Sequence, residues 1–233
     1  MSAPPDCAVC PHDWPQRFCR NAGGKTPINC PSVACGELSD AALQTTCSED
    51  HIEFARQASI QEAEGYTDRE KGYECVRPIK TRIEEIIEFA RRMRYKKLGL
   101  AFCNGLRKET AVIDEILKTN GFEVVSVTCK VGAVPKSAMG LTQDHQLDLV
   151  VAHETMCNPV LLAEVLNAQK TEFNVVVGLC VGHDSLFFKY AQAMGTVFCV
   201  KDRVLVHNPI GAITQYDGYY RFLKKPLSTP VVT

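Results

Sequence analysis

The spacing of apolar residues changes near residue 95. Upstream, from Ser39 on, it is helical. Ser39 can cap a short helix through Leu43, and Ser48 with Glu49 and Asp50 opens a second. That second helix carries Ile52, Ala55 and Ala58 on one face and runs to about Glu64. Residues 65–72 are polar and predict a loop. From Pro78 a longer amphipathic helix presents Ile79, Ile83, Ile86, Ile87 and Ala90 and ends in the basic turn 91–94.

After Tyr95 the chain alternates strand-sized apolar runs with helical ones. The runs 98–103, 122–129, 147–152, 173–180 and 196–200 predict five strands. Helices are expected over about 108–120, from Asn158-Pro159, over about 184–193, and from Asn208-Pro209. Strands alternating with helices at this spacing imply a parallel sheet covered on both faces. The expected fold is therefore α/β, a three-layer Rossmann-like sheet of about five strands. Before it stand a cysteine-rich segment (1–47) and a helical connector (48–94), with the α/β domain at 95–233.

Composition narrows the function classes. The 233 residues are 45% hydrophobic and 23% charged, which fits a folded globular chain. With 26 basic and 27 acidic side chains the formal net charge is −1, which removes the electrostatic footprint of a nucleic-acid binder. The richest apolar run, Val175 to Val181, is strand-sized, so no membrane span is expected. The start shows neither a basic nor an apolar leader region, and a cytoplasmic protein is predicted.

The twelve cysteines change the picture. A chain of this length needs no disulfide staples, and a reducing compartment would keep thiols free for metals or chemistry. Ligands of open parallel sheets bind beyond the carboxyl ends of the strands. Cys103, Cys129 and Cys180 end predicted strands there, and Cys157 lies in the turn before the Asn158-Pro159 cap. One cleft lined by these four is expected, with His183 and His207 at its rim. It would hold a second metal, a cluster, a small-molecule ligand or a reactive thiol. Cys180 and His183 are the candidate catalytic residues, and His183 suits a metal ligand, an acid–base group or a satisfied polar residue equally. Helix N-termini there favour a thiolate or a bound anion, and Lys130 can add positive charge. Cys199, inside the last strand, is read as core.

The N-terminal cysteines form a second set, Cys7-x2-Cys10-x8-Cys19-x10-Cys30, with Cys35 beyond. An x2 pair lets two thiolates grip one metal from a single tight turn, and distant cysteines complete the shell. His12 can replace one of them. Cys10-Pro11 and Cys30-Pro31 match a pairing seen in iron–sulfur runs, so an iron–sulfur cluster or zinc is the expected cofactor. The segment has no apolar pattern to order it, so these sulfurs are expected to converge on one point.

These motifs resemble a family of uncharacterised cysteine-rich proteins of anaerobic bacteria and archaea, metal-binding on prediction only. The likeness runs through Cys7-Ala-Val-Cys10, Cys19, Cys30-Pro31, Ala101-Phe102-Cys103-Asn104-Gly105-Leu106 and Ser126-Val127-Thr128-Cys129-Lys130-Val131-Gly132. It continues in Met156-Cys157-Asn158-Pro159, Gly178-Leu179-Cys180-Val181-Gly182-His183-Asp184, Lys201-Asp202-Arg203-Val204 and His207-Asn208-Pro209. The resemblance implies that the four N-terminal and four cleft cysteines belong to the family's motifs. Cys35, Cys47, Cys75 and Cys199 are extras. Ala193-Met194-Gly195-Thr196 departs from a stretch that usually carries Ala-Pro. Two functions are expected from the whole: redox or metal and sulfur handling through the cleft, with a redox partner, or a zinc-structured module that binds a small anionic ligand without catalysis.

Overall fold

The computed structural model describes residues 4–227. The chain divides into two compact units, Met1–Glu64 and Gly65–Thr233. The first contains three helices, α1 (Pro31–Ala34), α2 (Gly36–Thr46) and α3 (Ile52–Glu64), after a stretch of short turns. Among its described residues no apolar side chain is buried, and Val9, Ile28, Leu38 and Leu43 are exposed. Residues 16–25 are joined by backbone bonds instead: Phe18 N–H to Lys25 O at 3.0 Å and Lys25 N–H to Gln16 O at 2.7 Å. Gly24 is required for this approach, since a Cβ there would lie 2.4 Å from the Arg17 carbonyl carbon.

The second unit opens with a two-stranded ribbon, β1 (Tyr66–Thr67) and β2 (Arg77–Pro78), and helix α4 (Arg82–Arg92). The helix starts later than its apolar pattern suggests because Pro78 is in the ribbon and Thr81 with Glu84 forms a capping box. Ile79 is left outside it and exposed. Then come β3 (Lys97–Phe102), α5 (Arg107–Thr119), β4 (Glu123–Thr128), α6 (Pro159–Ala168), β5 (Phe173–Val177), α7 (His183–Tyr190), β6 (Gly195–Cys199) and the short α8 (Ile210–Thr214). The four long strands form one parallel sheet in the order β4-β3-β5-β6. Strand alternation assigns the faces. Ala101, Val127 and Val176 pack with Leu162, Ala163 and Leu166 of α6 and Phe187 of α7. Phe173 turns the other way and meets Phe89 of α4 at 5.4 Å between ring centroids. Helices thus cover both faces, as the alternating pattern required.

The sheet has four strands, not five. Residues 147–152 do not pair. Leu147 is 83% and Val150 93% exposed, and their N–H groups go to the carboxylates of Glu154 and Asp148. Local side chains have taken the donors a strand would need, and β5 occupies the place beside β3. Among the described residues no helix is long and apolar enough to cross a membrane.

Candidate functional site

The order of strand addition reverses between β3, which leads to β4 on one side, and β5, which leads to β6 on the other. The crevice beyond these two strands is where ligands of such sheets bind. Cys103 and Cys129 follow β3 and β4 directly. Alternation from Ala101 and Val127 puts both on the α6 face, and the Cys129 N–H bonds Phe102 O at 2.8 Å. Cys129 is buried, only 4% exposed, in the main core cluster, against which Cys103 and Cys157 pack.

Cys157 arrives from a distance along the chain. Its loop is stitched to the one leaving β4: Met156 N–H to Val134 O and Asn158 N–H to Cys129 O, each 2.8 Å. Lys130 adds bonds to Glu154 (3.3 Å) and to the Thr155 carbonyl. Asn158 Oδ1 then accepts the Leu161 N–H at 3.0 Å and caps α6. The outcome is a sulfur pair, Cys157 Sγ 3.7 Å from Cys129 Sγ. Cys129 Sγ also accepts the Asn104 N–H at 3.4 Å.

These contacts separate the thiols electrostatically. Donating a hydrogen bond to Cys129, together with burial, pushes the Cys103 thiol far up. Cys129 is lowered by accepting that bond, but donating to Cys157 and burial outweigh it and leave it raised. Cys157 is pulled down to about 7, first by the hydrogen bond from Cys129 and then, against its burial, by the Lys130 charge. The resulting relay runs from Cys103 through Cys129 to a Cys157 thiolate. Cys180 stands at the same edge, where its charge opposes ionisation of Cys157, and its sulfur accepts a bond from Arg203 Nη2 at 3.1 Å. Gly178, at φ +64°, has no room for a Cβ, which would meet Leu106 Cδ1 at 2.2 Å.

Of the two predicted rim histidines, His183 begins α7, and burial, with the Lys130 charge, lowers its pKa against Asp184. The His207 ring accepts the Asp202 N–H at Nδ1 (3.2 Å) within its own 202–207 loop. Cys199 ends β6, half-buried, with its thiol pushed up by that burial. Lys201 and Arg203 stand in a motif of the family resemblance, but neither had a role at the site in the sequence reading. Their signal was available, because they directly follow a strand end at the ligand edge. Lys201 Nζ would lie 3.1 Å from a Cβ on Gly105, beside the Cys103 sulfur.

In the first unit, Cys7, Cys10, Cys19 and Cys30 all line one recess, together with Arg17 and Lys25. Four thiols around one hollow fit a soft metal by donor chemistry. Their sulfurs are not drawn to a ligating centre, however. Among the described residues no group of three or more His, Cys, Asp or Glu side chains is arranged to hold a metal ion.

The family model described as "Protein of unknown function (DUF1847)" matches residues 30–198. That range contains Cys30, Cys103, Cys129, Cys157, Cys180 and His183, and it leaves Cys7, Cys10, Cys19 and His207 outside. An uncharacterized protein of Methanocaldococcus jannaschii, MJ0455, is 50% identical over 148 residues, covering 64% of this chain and 72% of its own length. No solved structure matches.

Proposed function

We propose, from the premise that the chain belongs to the DUF1847 family of proteins of unknown function, that it is a thiol-based redox protein. Its working groups are the Cys129–Cys157 pair at the carboxyl edge of the sheet, with Cys103 donating to the pair. One observation carries this reading: two sulfurs from distant segments are held 3.7 Å apart at the carboxyl edge of the sheet. A buried thiol beside an ionisable, half-buried one is the arrangement that dithiol chemistry needs. Cys7, Cys10, Cys19 and Cys30 are the proposed ligands of a zinc ion or iron–sulfur cluster. Such a group would supply the cross-link needed for order by a unit whose described residues include no buried apolar side chain.

The test is peptide-resolved alkylation of the anaerobically purified full chain at pH 6, with metal and sulfide analysis of the same sample. Cys157 should be modified ahead of the other second-unit cysteines, and metal should be lost on replacing Cys10. A Cys157 that reacts no faster than exposed Cys75 would reduce the cleft to an anion-binding surface without thiol chemistry. A metal-free sample unaffected by chelators would remove the N-terminal assignment.

A further inference from the structure

Cationic side chains act on three of the sulfurs at the carboxyl edge of the sheet. Arg203 donates to the Cys180 sulfur, and Lys201 reaches the Cys103–Gly105 turn, where its charge favours the Cys103 thiolate. Lys130 favours ionisation of Cys157. Of the nearby carboxylates, Glu154 is shared between Lys130 (3.3 Å) and Lys136 (3.1 Å), Asp184 faces His183, Asp202 accepts the Val204 and Leu205 N–H groups, and Glu109 acts on Cys199. None of these four carboxylates pairs with Lys201 or Arg203 among the described ion pairs. The two thiols also differ in access: Cys157 is half-buried in a loop, whereas Cys129 is buried beneath it.

We propose that the cleft exchanges disulfide with small anionic disulfides, with Cys157 attacking, Cys129 resolving, and Lys201 and Arg203 selecting the negative charge. The proposal rests on the thiol-redox reading above and adds the substrate class and the order of attack. In the first step the Cys157 thiolate attacks one sulfur of R–S–S–R. A Cys157–S–S–R bond forms, the substrate S–S bond breaks, and R–S⁻ departs and takes the Cys129 proton. In the second, the Cys129 thiolate attacks the Cys157 sulfur. The internal disulfide forms and the second R–S⁻ leaves, taking from water the proton that Cys157 released on ionising. The protein dithiol loses two electrons and the substrate disulfide gains them. Cys103, already donating to Cys129, stabilises the Cys129 thiolate between the steps. The sulfurs must close from 3.7 Å to a bond of about 2.05 Å, and the loop position of Cys157 allows that movement.

The experiment uses the full-length reduced protein and three probes: glutathione disulfide (anionic), 2-hydroxyethyl disulfide (neutral) and cystamine (cationic). Peptide mapping follows the Cys129–Cys157 crosslink over time. Glutathione disulfide should form it at least about tenfold faster than cystamine, with the ratio collapsing toward one in high salt and in Lys201→Gln/Arg203→Gln. Cys129→Ser should accumulate the mixed disulfide on Cys157. The wild-type crosslink map gives the same assignment should that variant fold poorly. Equal rates for all three probes would overturn the charge selection and leave the thiol reading standing. No crosslink with any probe would overturn both.

Discussion

Replacing Cys129 by alanine should make Cys157 an ordinary thiol. In the native cleft its pKa is about 7, held there first by the hydrogen bond from Cys129 and then by Lys130. A free cysteine titrates near 8.5, so at pH 6 the thiolate fraction of Cys157 is about 9% against roughly 0.3%. That is about a 30-fold advantage in population. A less basic thiolate is also a weaker nucleophile, by about fivefold over ~1.5 pK units. The net expectation is alkylation of Cys157 about sixfold faster than an equally accessible free thiol at pH 6. The rate should rise as pH passes through 7 and level off above 8, since only the thiolate reacts. Cys129→Ala removes the donor and should cost most of that advantage, moving the midpoint toward 8.5. Cys129→Ser keeps a donor and should leave the midpoint near 7, while Lys130→Gln should shift it upward by less. The assay is iodoacetamide alkylation read peptide by peptide between about pH 5.5 and 9.5. A native midpoint at 8.5 or above, or an alanine variant still titrating near 7, would refute the reasoning.

Three further outcomes follow from packing. Gly178→Ala forces a side chain onto a positive φ and into Leu106, and should lower the unfolding free energy by about 2–4 kcal/mol in a urea titration. Asn158→Ala removes the α6 cap, and a loss of about 1 kcal/mol is expected in the same titration; an unchanged midpoint would mean that the cap is dispensable. Cys10→Ser should erase hydrogen-exchange protection in residues 4–64 and leave β3, β4, β5 and β6 protected, because no buried apolar residue among those described holds the first unit.

Much of this protein is set by short-range features of its sequence. Alternation of apolar runs placed β3, β4, β5 and β6 to within a few residues of their observed bounds, because each run is a local statement about which side chains must leave water. The Asn158-Pro159 pair marked the start of α6 for the same reason: a cap is satisfied within one turn. Cys103 and Cys129 could be placed at strand ends from the apolar runs alone, whereas the adjacency and register that put both on one face belong to the sheet. Other features depended on long-range pairing. The run 147–152 has strand-like composition, but Asp148 and Glu154 take its backbone donors and β5 fills the position beside β3. Likewise, nothing in the spacing of Cys157 names Cys129 as its neighbour. That meeting is made by the 129–136 and 154–158 backbones bonding across the loop. The contrast between a lowered Cys157 and raised Cys103 and Cys129 thiols arises only once the three share hydrogen bonds. A side chain's ionisation is set by the groups packed around it, and the tertiary fold supplies those groups.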